Sequence, residues 1–154
     1  MTSTTPLDQS ANASETASAA GLQALLTGAA VGPLPNLGWL RVTGEDRVRW
    51  LNGMVTNSIQ QLQPGQGCYN FVLSAQGRIQ ADASAFASDA AILLETDRGR
   101  LPALMALLDR FIIMDDVELA DVSASQIGFA VVGPRAAALL AQICLLYTSP
   151  SPRD

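Results

Sequence analysis

The amino-acid sequence predicts a mixed α+β domain with a largely antiparallel sheet and packed helices. Turn signals at residues 64–67 and 74–77 bracket a β-rich run, which is typical of a hairpin. An amphipathic segment at residues 100–113 separates this hairpin from further short apolar runs. Helical and strand patterns are therefore intermixed along the chain, and at least one strand pair is antiparallel.

The first part of the chain predicts a helix, a strand and a second helix. Residues 21–30 favour a short helix or helical turn, which the glycine and prolines after it interrupt. Residues 37–42 alternate in the manner of a strand. Thr43, followed three residues later by Asp46, resembles a capping arrangement, and apolar residues at helical spacing come after it.

The middle of the chain predicts the hairpin and the centre of the sheet. Residues 68–73 and 78–86 form its two strands, and Gly77 in the loop can adopt the positive φ that such a turn requires. Residues 90–96 are almost entirely apolar in the middle, which predicts a central strand.

An amphipathic helix and three short elements complete the prediction. The helix covers residues 100–113, and strands at 117–122 and 127–132 precede a final helix after residue 134. One apolar stripe of the long helix faces the core. Its members are Leu101, Leu104, Met105, Leu108, Phe111 and Ile112.

The ionisable residues exclude several kinds of chemistry. The formal net charge is −5 and the 9 basic residues are all arginine, without a basic stripe, so no nucleic-acid partner is expected. The absence of lysine excludes a Schiff base within this chain, and the absence of histidine excludes Ser–His and Cys–His nucleophiles. Cys68 and Cys144 lack metal-ligand spacing. We expect no catalytic residue and no metal site here.

The sequence gives no sign of a membrane or export signal. No stretch approaches the roughly 18–20 apolar residues of a membrane span. Residues 21–31 are apolar, but no basic residue precedes them as a signal peptide would require. We therefore expect a cytoplasmic, monomeric protein with no membrane partner.

The two ends of the chain differ in composition from its middle. Residues 1–33 are expected to be a disordered or loosely helical tail, because residues 1–20 are rich in Ser, Thr and Ala without periodicity. Residues 34–143 form the folded domain. Residues 144–154 match a translated sequencing adapter, so we expect them to be non-native and the domain to be incomplete. The alternative is a genuine proline-rich tail.

Three motifs occur in a specific order and spacing. GEDRVRWLNGMVTN at residues 44–57 is similar to a G-x-D-x-x-x-[FW]-L-x-G-x-x-T-N helix and turn. Residues 64–82 are similar to a hairpin whose N-x-x-G-R-I-like turn precedes an acidic residue, and residues 107–119 to a helix-to-strand passage. Together, over residues 34–143, they resemble the folate-binding YgfZ family of the aminomethyltransferase, or glycine-cleavage T-protein, superfamily.

The resemblance implies a ring-like protein of three subdomains around a folate, of which residues 34–143 would supply an incomplete first one. It implies tetrahydrofolate or a derivative as cofactor, iron–sulfur client proteins as partners, and an accessory role in iron–sulfur cluster assembly or repair. One alternative is a folate-dependent aminomethyltransferase. Another is a generic α+β interaction domain whose motif matches are coincidental.

Two departures from the family patterns bear on this choice. Aminomethyltransferases carry paired acidic residues in the hairpin strand, but here the two positions are Ala81 and Asp82, which favours the YgfZ interpretation. Gly67, Cys68 and Tyr69 mimic the centre of the later K-G-C-Y-x-G-Q-E signature of YgfZ proteins, but the flanking residues differ. We expect the true signature to lie beyond residue 143.

The resemblance makes Asp82, Arg78, Asn57 and Tyr69 the candidate folate contacts. A carboxylate at Asp82 accepts two parallel hydrogen bonds from the ring N–H and amino group of a pterin. Arg78 would bind the carboxylates of the folate tail, and Tyr69 would stack on an aromatic ring. Their alternatives are a solvated polar face for Asp82, a surface ion pair for Arg78, turn closure for Asn57 and packing for Tyr69.

Strand alternation makes a further prediction for the hairpin. It places Asp82 on one face of its strand and Ala81 on the other. The same rule assigns three more residues to the face of Asp82, namely Arg78, Gln80 and Ser84. Ile79 is assigned to the face of Ala81.

Overall fold

The computed structural model describes residues 19–144. These divide into two compact units, one of residues 34–128 and one that contains residues 19–33 and 129–144. Most of the predicted tail, residues 1–18, lies outside the described residues, and so do residues 145–154 of the segment 144–154 that resembles an adapter.

The described residues contain four α-helices and seven strands, and the predicted α+β class is confirmed. In chain order they are α1 (19–27), β1 (Ala30–Pro33), β2 (Leu37–Thr43), α2 (Arg47–Asn52), β3 (Gly67–Leu73), β4 (Ile79–Ala87), β5 (Ile92–Asp97), α3 (Leu101–Asp109), β6 (Glu118–Asp121), β7 (Phe129–Val132) and α4 (Ala136–Cys144). A 3₁₀ turn at Ser123–Ser125 follows β6.

The unit of residues 34–128 is built on a five-stranded sheet with the order β3-β4-β5-β2-β6. All four neighbouring strand pairs are antiparallel. β5 lies between β4 and β2, so the apolar run at residues 90–96 is the central strand that the sequence predicts. Gly77 in the β3–β4 loop has φ +76°, which confirms the predicted turn conformation.

One face of this sheet is covered by helices and forms the core. Three alanines of β4 point toward it, and α3 packs its buried leucines against the same cluster. Its fully buried members include Leu40, Val42, Leu51, Ala85, Leu94 and Leu108. The core is therefore mainly aliphatic, as the scarcity of aromatic residues in the sequence requires. Burying each leucine contributes roughly 1.5–3 kcal/mol.

Trp50 and Phe111 differ in burial although the sequence places both in apolar patterns. Trp50 is buried, and its indole N–H donates to the carbonyl oxygen of Phe111 at 3.1 Å. The Phe111 side chain is 48% exposed, because α3 ends at Asp109 and the helical stripe does not continue to residue 111. The predicted core position of Phe111 was wrong.

The start of α2 is held by a loop rather than by its own cap. Asp46 occupies the N-cap position, but its side chain forms no capping hydrogen bond, so the predicted capping arrangement was wrong. Its Oδ2 instead accepts a bond from the backbone N–H of Asp116 at 3.0 Å, while the N–H of Glu45 donates to Asp116 Oδ2 at 3.0 Å. Arg49 pairs with Asp46 at 3.0 Å and with Asp115 at 2.6 Å. We call residues 44–46 with 115–116 the α2 clasp.

The other unit pairs β1 with β7 in an antiparallel two-stranded sheet and includes α1 and α4. β1 was not among the predicted elements, because its four residues include a glycine and a proline that read as breakers. The N–H of Arg135 donates to the carbonyl oxygen of Gly28 at 2.9 Å and anchors the start of α4. Among the described helices, none is both long and apolar enough to cross a membrane.

Candidate functional site

A β-bulge near the tip of the β3–β4 hairpin determines which side chains share a face. Val72 pairs with Ala81, but the next residue, Leu73, pairs with Ile79, so Gln80 is an extra residue in β4. Because directly paired residues lie on one face, Ile79 joins the face of Asp82. Gln80 lies beside Ala81 and contributes to a groove next to α3. The predicted faces of Ile79 and Gln80 were therefore wrong.

Asp82 lies on the face of the sheet opposite the core, where it is half-buried. The hydroxyl of Tyr69 on β3 donates to Asp82 Oδ2 at 2.8 Å. This bond raises the pKa of the Tyr69 phenol, because the carboxylate stabilises the protonated hydroxyl. The buried Thr96 donates its hydroxyl to the backbone oxygen of Asp82 at 2.8 Å, which fixes the strand there.

The exposed aromatic side chain of Phe71 lies beside this pair. The rings of Tyr69 and Phe71 meet edge to face with centroids 5.3 Å apart, and the two side chains are 51% and 36% exposed. Phe71 pairs directly with Asp82 across the hairpin. The open face therefore presents a carboxylate, a phenol and a bare ring side by side, an arrangement suited to a flat, polar, aromatic ligand.

Asn57 closes a turn that is hydrogen-bonded to β3. Its backbone N–H donates to Asn70 Oδ1 at 2.9 Å, and its own side-chain amide donates to the Tyr69 carbonyl at 3.4 Å. The hydroxyl of Thr56 accepts from the N–H of Phe71 at 2.9 Å. Asn57 is exposed and next to Tyr69 in space, so the structure brings these two candidate residues together.

Asn70 is a residue of this region that the sequence interpretation missed. It is fully buried, and its side-chain amide also donates to the carbonyl oxygen of Cys68 at 3.0 Å. The amide therefore satisfies backbone groups on both sides of the turn. Strand alternation between Cys68 and Val72 places it inward, and a polar residue at an inward position is the signal that could have identified it.

Arg78 lies at the tip of the hairpin, before β4 begins, and its side chain is exposed. Its backbone closes the loop, since the N–H of Ser74 donates to the Arg78 carbonyl at 2.8 Å. Within residues 19–144 its guanidinium forms no ion pair. The predicted alternative of a surface ion pair is thus not present in the described part of the chain.

The open face continues onto β5 and β2 with residues that the sequence did not single out. Glu95 pairs with Ser84 on one side and with Trp39 on the other, and partial burial raises the pKa of its carboxyl. The Trp39 and Phe86 rings are tilted, with centroids 6.3 Å apart. The buried indole nitrogen of Trp39 has no hydrogen-bond partner among the described residues.

Ala81 occupies the position at which the resemblance leads us to expect a second carboxylate. Ala81 is only 5% exposed and belongs to the core cluster. It points away from Asp82, because neighbouring residues of a strand face opposite sides. A carboxylate at residue 81 would therefore not share the face of Asp82. Within residues 19–144, no group of three or more acidic, Cys or His residues could hold a metal ion.

A family comparison identifies the domain. The GCVT N-terminal domain model matches residues 5–150. The chain belongs to this family. The hairpin with Asp82 and the helix α3 both lie within the matched range, so the candidate site is part of the family domain.

Two curated relatives are similar over most of the chain. The chloroplastic protein At1g60990 of Arabidopsis thaliana is 29% identical over 125 residues, which are 80% of this chain and 29% of that protein. An aminomethyltransferase of Thermosynechococcus vestitus is 29% identical over 111 residues, which are 72% of this chain and 30% of that enzyme. The match therefore spans less than a third of either relative's length.

A third relative belongs to another functional class. The mitochondrial iron–sulfur cluster assembly factor IBA57 homolog of Mycosarcoma maydis is 31% identical over 103 residues, which are 58% of this chain and 26% of that protein. Among solved structures, the glycine cleavage system aminomethyltransferase T of Bartonella henselae superimposes with a TM-score of 0.69 at 21% identity. That superposition covers 78% of this chain and 33% of the enzyme, and it confirms the fold.

Proposed function

We propose that the open sheet face within residues 34–128 forms one wall of a tetrahydrofolate site in an accessory protein of YgfZ type that assists iron–sulfur cluster assembly or repair. The hydrogen-bonded pair of Tyr69 and Asp82 is the observation that supports this proposal most directly. The pair lies on an open sheet face inside the family domain, beside exposed aromatic rings.

The residues of the open face fit a reduced folate chemically. A carboxylate offers about four lone-pair positions, so Asp82 can accept bonds from a pterin while it still accepts the one from Tyr69. The Phe71 ring offers an apolar surface for stacking. Arg78, unpaired within residues 19–144, is available for the carboxylates of the folate tail, and Asn57 borders the same face.

The iron–sulfur part of the proposal is supported by one relative, which is a cluster assembly factor. Because the chain spans under a third of each curated relative's length, the activity of the whole protein is inferred from the family. In this proposal the described domain contributes binding rather than catalysis. The protein would act in the cytoplasm as a monomer with iron–sulfur proteins as clients.

Titration with a reduced folate tests the binding step. We expect the 154-residue chain to bind 5-formyltetrahydrofolate in isothermal titration calorimetry, and Asp82→Asn to weaken the affinity about tenfold, because a charge-assisted acceptor is lost. Asp89→Asn is the matched control, since it neutralises an exposed carboxylate outside the hairpin. An Asp82→Asn affinity within about twofold of the wild type would refute the assignment.

A folate-dependent aminomethyltransferase is the second candidate, and the Thermosynechococcus vestitus relative favours it. The alanine at residue 81 argues against this enzyme, because the hairpin has one carboxylate where the resemblance leads us to expect two. A methylene-transfer assay with tetrahydrofolate as acceptor separates the two candidates. Turnover that Asp82→Asn abolishes would favour the enzyme, whereas folate binding without turnover would favour the accessory protein.

A further inference from the structure

A groove between α3 and the bulge of β4 has a chemistry different from that of the open face. It has a volume of about 470 Å³ and is lined by Gln80, Ala81, Arg100, Ala103, Leu104, Ala106, Leu107 and Arg110. The groove belongs to the helix-covered side of the sheet, since Ala81 and Leu104 are members of the core cluster. It is thus separate from the proposed folate wall, which contains Asp82.

The charges of this groove are all of one sign. Arg100 and Arg110 are exposed at its two ends, and no carboxylate lines it. Within residues 19–144 neither guanidinium forms an ion pair. This contrasts with the whole chain, whose formal net charge is −5, and it marks the groove as a local positive site on an acidic protein.

The position of Arg100 is unfavourable for the helix itself. Arg100 is the N-cap residue of α3, and the first turn contains no acidic residue. A positive charge at the positive end of the helix dipole is unfavourable for the helix. Arg100 therefore does not stabilise α3, and the combined field of dipole and guanidinium favours an external anion.

The surface between the two arginines is apolar and shallow. Ala103 and Ala106 are exposed and Leu107 is half-buried, at helical spacing along one stripe of α3. Small side chains allow the backbone of a second helix to approach closely. The bulge adds the amide of Gln80 to the groove edge, where it can bond a polar group of the occupant.

We propose that this groove binds an acidic amphipathic helix of a partner protein. Arg110 follows Arg100 by ten positions, which corresponds to about 15 Å along the helix axis. The partner segment would place carboxylates about ten residues apart against the two guanidiniums, with alanine or leucine between them on the stripe. Its charge complements the groove, and its apolar face covers Ala103, Ala106 and Leu107.

A designed peptide tests this proposal on the full chain. The probe is a labelled helical peptide of about fifteen residues, with Glu near each end and an Ala/Leu stripe between. The control peptide has Gln at both Glu positions. We expect the Glu peptide to bind in fluorescence anisotropy and the Gln peptide to bind about fivefold more weakly. Affinity for the Glu peptide is also expected to fall in about 0.5 M salt.

Charge variants locate the binding. Arg100→Glu combined with Arg110→Glu is expected to weaken the Glu peptide about tenfold or more, whereas Arg135→Glu, a reversal of an exposed arginine in the other unit, leaves it within about twofold. If the double reversal disturbs the circular dichroism spectrum, Arg100→Gln with Arg110→Gln replaces it, with about fivefold weakening expected. Equal weakening by the Arg135 control, or no preference for Glu over Gln peptide, would overturn the proposal.

Discussion

The α2 clasp depends on a glycine at residue 44, and Gly44→Ala should disrupt it. Gly44 has φ +103°, and a Cβ built there would overlap the Asp116 carbonyl oxygen and lie 2.6 Å from its carbon. Positive φ costs an L-residue about 1–2 kcal/mol, and forced overlap with backbone adds about 1–3 kcal/mol. We therefore expect Gly44→Ala to lower the free energy of unfolding by about 2–5 kcal/mol.

Gly65→Ala is the matched control, because Gly65 has φ +86° with open space around the position of a Cβ. Gly65→Ala should lower the free energy of unfolding by only about 1 kcal/mol, because a lower entropy of the unfolded chain partly offsets the strain of positive φ. In thermal unfolding followed by circular dichroism, at about 5 °C per kcal/mol, Gly44→Ala should lower the Tm by about 10–25 °C and Gly65→Ala by about 5 °C. Equal shifts would show that the clasp moves aside without cost.

Three further predictions concern the turn, the phenol and the clasp. Asn70→Leu should lower the free energy of unfolding by about 1–3 kcal/mol, because the buried Asn70 amide no longer bonds the Asn57 N–H and the Cys68 carbonyl; urea unfolding measures this loss. Asp82→Asn should lower the pKa of Tyr69 in a spectrophotometric titration, because the carboxylate that holds the phenol proton is removed. Asp46→Asn should flatten the loss of stability in acid, measured as Tm against pH.

The direction of the acid effect follows from the pKa shift of Asp46. The hydrogen bond from the Asp116 N–H, and then Arg49, lower its folded-state pKa below the ordinary value. The stabilisation is therefore present above pH of about 4 and lost as pH falls through the lowered folded value. Parallel Tm curves for wild type and Asp46→Asn would contradict this assignment.

The other two predictions have equally direct controls. The matching amide-to-leucine change at an exposed position, Gln76→Leu, should leave the urea midpoint nearly unchanged. A similar loss of stability in both variants would refute the role assigned to the buried Asn70 amide. The chain has two tyrosines, so the titration of Tyr69 is obtained by subtracting the curve of Tyr69→Phe from that of the wild type. This subtraction cancels the signal of Tyr147. An unchanged Tyr69 titration in Asp82→Asn would refute the hydrogen bond.

Patterns of polarity predict the strands of this domain because each strand satisfies one dominant burial requirement. The apolar run at residues 90–96 could only be a central strand, and Gly77 could only be a loop residue with positive φ. Strand alternation placed Asp82 on the face opposite Ala81 and Ala83, and the structure buries both alanines in the core. Local sequence and tertiary packing agree at these positions.

The remaining features depend on contacts between residues far apart in sequence. Asp46 bonds Asp116 rather than its own helix, and Phe111 is exposed because α3 ends two residues before it, at Asp109. The bulge at Gln80 has no signature in polarity, since Gln fits either face. The β1 strand requires its partner β7 to outweigh a glycine and a proline. Periodicity does not encode such pairings.

The extra residue in β4 lets one strand contribute side chains to two different surfaces. From Asp82 onward the strand offers its polar side chains to the open face, while Gln80 turns toward the helix and its arginines. A single insertion thus places Gln80 at the groove proposed for a partner helix, while Asp82 stays on the face proposed for folate. Deletion of the extra residue would restore simple alternation along β4. The side chain before Ala81 would then lie on the face of Asp82 and would no longer line the groove beside α3.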